Sequence, residues 1–226
     1  MILEGATRSP WSSIARGVAA VGAVGALYGL GMSCYMTWSS KVGKRRTRDR
    51  LLDLAAQMRP WRGDETVLDV GCGRGLMLIG AAQRLTTGTA VGIDLWRETD
   101  QSGNTPIATK RNAQIEGVDD RVTIEHGDAR ALKFGDACMD VVTSHWVIHN
   151  IELEADRTKA LEEMVRVLRP DGVLVLADIA QVGAYEAFLH SRGFRQLRFI
   201  SGGFESRVMG ALSGGTFRPQ AIVARR

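Results

Sequence analysis

Cysteine is scarce in this 226-residue chain. Cys34, Cys72 and Cys138 are the three present, and no two share the short spacing of a metal knuckle or a redox pair. That spacing excludes a disulfide framework and a metal-ligand cluster, and the thiols read as free ones in a reducing compartment. No internal repeat is evident, and the length leaves room for one substantial domain and a short appendage but not for a second catalytic domain. A strong charge of one sign is also missing, since 29 Lys and Arg face 25 Asp and Glu for a net +4. Lys41, Lys44, Arg45, Arg46, Arg48 and Arg50 crowd into one stretch, so the whole-chain charge does not point to nucleic acid. With 45% hydrophobic and 24% charged residues, the rest suits a packed core.

Charge is absent altogether from Gly17 to Trp38, GVAAVGAVGALYGLGMSCYMTW. At about 1.5 Å per residue such a helix reaches across a hydrocarbon core of about 30 Å. Its glycines would weaken a helix in water but are tolerated in bilayers. Trp11 and Trp38 bracket the run as interfacial aromatics do, and the basic cluster behind it outweighs Arg8 and Arg16 in front. The expectation is a membrane-spanning or membrane-anchoring helix, single pass or anchored, with the rest of the chain facing the cytoplasm. A cleaved signal peptide and a soluble apolar hairpin are the alternatives. Gly22, Gly25, Ala26 and Gly29 offer small-residue spacings through which weak helix-mediated self-association is conceivable.

Three regions follow: a leader with the apolar helix over 1–40, a basic juxtamembrane linker and helix over 41–60, and a domain over 61–226. Leu51, Leu52, Leu54, Ala55 and Met58 recur at helical spacing, and Pro60 ends that helix, expected over Arg48–Met58. Beyond it strand and helix patterns alternate. Strands are expected at Thr66–Val70, Ala90–Asp94, Val122–His126, Asp140–Ser144 and Val173–Asp178. Helices are expected at Leu76–Leu85, Pro106–Glu116, Asp156–Leu168 and Val182–Arg192. Arg195–Ile200 and Gln220–Ala224 close the chain as strands, with the Gly- and Ser-rich Ser201–Thr216 between them in place of a crossover helix. The pattern predicts a doubly wound α/β fold, a mostly parallel seven-stranded sheet with an antiparallel C-terminal edge pair.

The sharpest motif is V-L-D-V-G-C-G-R-G, with Asp69 on a strand and Gly71, Gly73 and Gly75 in the turn that opens a helix. Glycines let backbone approach a ligand closely. In a dinucleotide loop counted from Gly71 the third glycine would fall on Leu76, and a Gly-Lys-Ser/Thr ending is absent, so a pyrophosphate cradle is disfavoured. A-V-G-I-D-L then places Asp94 at the end of the second strand, where a carboxylate can accept both hydroxyls of a ribose.

An acidic residue followed by G-x-G-x-G resembles the first motif of the class I S-adenosylmethionine-dependent methyltransferases, and the resemblance runs from about Arg59 to Arg226. It implies a Rossmann-like methyltransferase fold with S-adenosyl-L-methionine as cofactor. By resemblance, Asp69 would help order the loop and the cofactor amine, Gly71 and Gly73 would admit its methionine portion, and Gly75 would complete the cofactor-binding loop. Asp94 would hold the ribose. Asp128 of H-G-D-A-R would accept from the adenine amino group, with Ala129 against the ring. Pro170-Asp171-Gly172, in a stretch also typical of the family, would turn a helix into the fifth strand, with Arg166 and Arg169 structural.

The carboxyl end of the fourth strand faces the crevice where such sheets bind ligands, which makes Ser144 a cofactor neighbour and Trp146 and Asn150 substrate-side candidates, and Asp178, which ends the fifth strand on the same side, is another. Trp96, Asp100, Asn104 and Thr105, in the long loop after the second strand, are further candidates to cover the cofactor or meet the acceptor. A hydroxyl or protonated amine acceptor needs a base, for which His145 and His149 are the candidates, whereas a carbon or thioether acceptor need not use one. Too few placed thiols disfavour the metalloid substrates of the family, and the proline-proline-aromatic signature of its base-modifying members is replaced by Ser144-His-Trp-Val. The membrane helix makes a small lipophilic acceptor attractive. The alternatives are a noncatalytic, membrane-tethered cofactor-binding protein and an NAD-dependent oxidoreductase.

Overall fold

The computed structural model describes residues 10–38, 42–97, 103–201, 210 and 219–226. Asp100 and most of the Gly- and Ser-rich Ser201–Thr216 stretch lie outside these residues. Two compact units form, Met1–Arg46 and Thr47–Arg226.

In the first unit the apolar run folds as helix α1 (Pro10–Trp38). Within it Ile14–Tyr35 is long and apolar enough, by length and composition, to cross a membrane. Ser33 and Thr37 turn their hydroxyls back onto the carbonyls of Gly29 and Ser33, at 2.9 and 2.8 Å. Those bonds satisfy the helix's own polar side chains internally.

Helix α2 (Lys44–Met58) starts four residues before the expected Arg48 and buries Leu51, Leu52, Ala55 and Met58. Arg48 itself is only 11% exposed and donates to Asp49. Its stem covers Gly80 so closely that a Cβ there would lie 2.4 Å from Arg48 Cδ. Arg48 therefore belongs to the domain's packing, while Arg45, Arg46 and Arg50 are exposed.

The larger unit continues through β1 (Thr66–Val70), α3 (Leu76–Ala82), β2 (Thr89–Asp94), α4 (Pro106–Ile115), β3 (Val122–His126) and β4 (Met139–His145), then α5 (Glu154–Val167), β5 (Leu168–Asp178), α6 (Val182–Ser191), β6 (Gln196–Ser201) and β7 (Gln220–Arg225). The seven strands lie in the order β3-β2-β1-β4-β5-β7-β6. The first five are parallel; β7 runs antiparallel to both β5 and β6, giving the expected edge pair. The order reverses between β1 and β4, and such a switch point opens a crevice at the carboxyl ends of the strands.

Strand periodicity of two sends alternate residues into two cores. Val67, Val141, Val173 and Val175 meet α2 and α3 on one face. Leu68, Val142, Leu174 and Leu176 meet α5 and α6 on the other. Strands β3 and β6, at the two edges, are mostly exposed and polar, as an unpaired edge requires.

Two boundaries depart from expectation. Helix α3 ends at Ala82 rather than Leu85, because Arg84 and Leu85 donate to the carbonyls three residues back and tighten the last turn. Strand β5 begins directly after α5, at Leu168; the register then jumps from Met139↔Leu168 to Val141↔Val173. Pro170-Asp171-Gly172 is thus an irregularity inside β5, which accommodates a proline that lacks the ladder donor.

At the amino edge of the sheet Asp140 accepts from Arg59 (2.7 Å), Arg169 (2.5 Å) and the Thr66 amide (2.9 Å). Glu65, fully buried, accepts from the Arg62 and Gly63 amides and lies 3.5 Å from Arg59. Arg166 holds Glu163, Asp136 and the Phe134 carbonyl.

Candidate functional site

The turn after β1 is built from glycines because side chains have no room there. Gly71 has φ +71°, and a Cβ on it would fall 2.3 Å from Val147 Cγ2. The Gly71 and Cys72 amides donate to the Ile93 carbonyl, tying the turn to β2. Helix α4 fixes it from outside: Thr109 Oγ1 donates to the Gly73 carbonyl at 2.6 Å and Asn112 Nδ2 to that of Arg74 at 2.9 Å.

Asp69, 2% exposed, accepts from the Leu78 amide (2.9 Å) and the Thr143 hydroxyl (2.7 Å). Burial pushes its carboxyl up to about 7, against the pull of those two bonds and with a contribution from the Asp94 charge. Asp69 thus ties β1 to the first turn of α3 and to the neighbouring strand β4, a loop-ordering geometry.

Asp94 accepts from the Gly73 amide (2.9 Å), the Trp96 amide (2.7 Å) and Asn104 Nδ2 (3.1 Å). A carboxylate offers about four acceptor positions, so Asp94 joins the glycine turn to the loop after β2 and retains about one position for a ligand. Trp96 follows with φ +57°, an unusual conformation for a bulky residue. Asn104 Oδ1, Trp96 Nε1 and Ser144 Oγ are buried without a hydrogen-bond partner. Buried polar atoms left this way cost free energy unless something meets them. A polar ligand carrying donors and acceptors, as the adenosine and amino-acid parts of S-adenosylmethionine do, fits them.

Asp128 is taken up by Arg130, whose Nη2 donates at 2.7 Å and whose amide donates at 2.9 Å; Arg130 also reaches Asp156 at 2.7 Å. The guanidinium holds the Asp128 carboxyl below the usual carboxylate range. Ala129 is buried in the core that faces α5 and α6.

At the end of β4 the His145 and Trp146 rings stack, centroids 5.1 Å apart, and Trp146 has φ +60°. A single 3-10 turn, Ile148–Asn150, then carries His149 and Asn150. His149 Nδ1 meets Asp178 Oδ1 in a short contact, and the His149 amide donates to Asp178 Oδ2 at 3.1 Å. Asp178 also accepts from the Ile179 amide (2.8 Å) and the Tyr185 hydroxyl (3.1 Å). With Asp178 2% exposed and those acceptor positions filled, its geometry is that of a buried support for His149 rather than of a substrate contact. The His149 side chain is 21% exposed.

Tyr185, Thr109, Val147 and Arg130 escaped the sequence reading. Arg130 was detectable two residues after Asp128; the other three reach the site only through the fold.

Residues 68–176 match the family described as a methyltransferase domain. The chain is 35% identical over 136 residues to the 27-O-demethylrifamycin SV methyltransferase of Amycolatopsis mediterranei, covering 59% of this chain and 45% of that protein. It is 30% identical over 122 residues to the demethylmenaquinone methyltransferase of Symbiobacterium thermophilum, covering 54% and 45%. The chain spans about half the length of the curated relatives it matches. Among solved structures, a geranyl diphosphate methyltransferase superposes with a TM-score of 0.60 at 17% identity, covering 78% of this chain and 77% of that one. The [4+2]-cyclase SpnF superposes at 0.57 with 20% identity, covering 79% and 81%. At such identities these two likenesses show the fold alone. From the matched segment, the glycine turn and the strand order together, residues 68–176 are similar to the S-adenosylmethionine-dependent methyltransferases, and that likeness supports S-adenosylmethionine as the cofactor.

Proposed function

We propose that this protein transfers the methyl group of S-adenosylmethionine to a small, lipophilic acceptor bearing a removable proton, with His149 as the base. The observation that carries this reading is the His149–Asp178 pair at the carboxyl edge of the sheet that also bears the glycine turn. When bound, S-adenosylmethionine supplies an electrophilic methyl on a positively charged sulfur. Asp69 orders the turn, Asp94 couples it to Asn104, and Gly71 lets the turn pass beside Val147, where a side chain has no room. The carboxylate on Nδ1 favours the tautomer whose Nε2 lone pair accepts a proton, the arrangement by which a neighbouring acid serves a histidine base. Proton removal by a placed base contributes about 10²–10⁴-fold, and the remainder of the work is alignment and exclusion of water.

Lipophilicity rests on two supports. The acceptors named for two relatives, 27-O-demethylrifamycin SV and demethylmenaquinone, are small lipophilic molecules. Helix α1 is suited to hold the protein at a bilayer, with Arg45, Arg46 and Arg50 near anionic headgroups and the catalytic unit on the cytoplasmic side.

Detergent-purified full-length protein incubated with methyl-labelled S-adenosylmethionine and separated membrane and soluble extracts tests this. Label should enter a lipid-soluble product and fall about 10²–10⁴-fold with His149→Gln, while cofactor affinity holds. Label confined to polar products would overturn the lipophilic acceptor; an undiminished rate in the variant would overturn the base.

A further inference from the structure

Between β5 and α6 the chain spends only Ile179, Ala180 and Gln181, and Gln181 is held at φ +62° as the cap of the helix. A non-glycine residue in that region marks a connection fixed by its surroundings. The connection brings Tyr185, 2% exposed, under the carboxylate that ends the preceding strand. Its hydroxyl bonds to Asp178 Oδ2, the same oxygen that accepts the His149 amide, while Oδ1 takes the His149 ring and the Ile179 amide. The four donors fill the four acceptor positions of a carboxylate.

We infer that Tyr185 is a positioning residue of the transfer reaction: its hydroxyl fixes the Asp178 carboxylate, and that carboxylate fixes the imidazole of His149. This rests on the reading of His149 as the base.

The chemistry of each member suits the assignment. A buried phenol needs one acceptor, and a backbone carbonyl would serve; here it is spent on the anion that touches the histidine. The charges acting on the phenol are Asp178, beside it, and Arg157 of α5. Burial, then the Asp178 charge, push the phenol above its ordinary value, so it remains a donor and does not compete as a base. Arg157 is itself engaged by the Ile151 and Glu152 carbonyls, which close the turn that carries His149. The histidine is thus held at its ring through Asp178 and at its backbone through the same residue, with the tyrosine below both.

Removing the hydroxyl takes one neutral donor from Asp178 and leaves the carboxylate more basic. A more basic carboxylate stabilises the imidazolium form. Tyr185→Phe, in full-length protein in detergent labelled with ¹³C,¹⁵N-histidine, should therefore change the pH dependence of the His149 ring signals, toward the imidazolium form. Turnover should fall roughly threefold to thirtyfold, with the pH–rate limb moving to the same side and cofactor affinity unchanged. Four histidines are present, and His149→Gln assigns the signal. Replacing the three tyrosines by 3-fluorotyrosine keeps the ring packing, makes the hydroxyl a stronger donor and should shift His149 in the opposite direction. Asp178→Asn, which removes the carboxylate from the ring, should move those signals toward the neutral imidazole. If Asp178→Asn moves the His149 titration and both tyrosine changes leave it untouched, Tyr185 only packs and the inference falls. Because the titration is read in the resting protein, a chain that moves no methyl group overturns the proposed reaction while the titration still judges the network.

Discussion

At the amino edge of the sheet Asp140 is held by Arg59 and Arg169, whereas at the carboxyl edge Asp69, Asp94 and Asp178 are held by hydroxyls, amides and one imidazole. An arginine neutralises an acid for good. Neutral donors stabilise the acid and leave its charge to act on its surroundings. The same parallel strands thus end in an ionic lock around Asp140 on one side and, apart from the Asp128–Arg130 pair, in acids held by neutral donors on the other, where Asp94 leaves acceptor capacity for a ligand.

Breaking the sealed side should give the largest effect. Asp140→Ala takes from Arg59, whose side chain is 10% exposed, its closest acid, leaving Glu65 at 3.5 Å, and removes the partner of the Thr66 amide. We expect a loss of about 3–5 kcal/mol in urea unfolding, with S-adenosylmethionine affinity of the folded fraction unchanged in calorimetry. A parallel loss of affinity would show that the two edges are not separable.

The open side sharpens through pH. Asp69 is pushed up to about 7 in the folded protein, from about 3.9 in an unfolded chain. The native state then binds the extra proton between those values, so stability is greatest below about pH 4, falls as pH rises and reaches its full penalty above about pH 7. The wild type should lose at most about 4 kcal/mol across that window relative to Asp69→Asn, which carries no titrating group there. Equal slopes in the two proteins, measured by chemical unfolding at pH 5 and pH 8, would refute a protonated Asp69.

The smallest effect belongs to the staple on the glycine turn. Thr109→Val keeps the shape and deletes the bond to the Gly73 carbonyl. About 1–2 kcal/mol of stability should go, with a few-fold weaker cofactor affinity in calorimetry. An affinity equal to wild type would mean that the turn holds its form without α4.

Much of this was legible in order along the chain. The glycines from Gly71 to Gly75 occur together because one turn needs them together, and Asp94 follows one strand and one helix later because the fold repeats that unit. What stayed hidden is what the fold brings together from afar. Arg59 and Asp140 are 81 positions apart, and His149 and Asp178 are 29 apart. Asp178 was visible as a strand-ending acid, but its role depended on Tyr185, which by pattern is one more apolar-face residue of α6. The start of β5 was misplaced for a local reason: Pro170 reads as punctuation, yet the ladder with β4 absorbs it by slipping register.

Three successive carbonyls in the glycine turn are already claimed: Cys72 by the Gly75 amide, Gly73 by Thr109 and Arg74 by Asn112. Lone pairs tied up in this way are turned away from an arriving carboxylate and are no longer offered to an ammonium. The turn therefore has a polarity of its own. It is better fitted to the acid end of a zwitterion, and it leaves recognition of the amine end to side chains, so a cofactor analogue lacking its carboxylate would forfeit what α4 does for the turn.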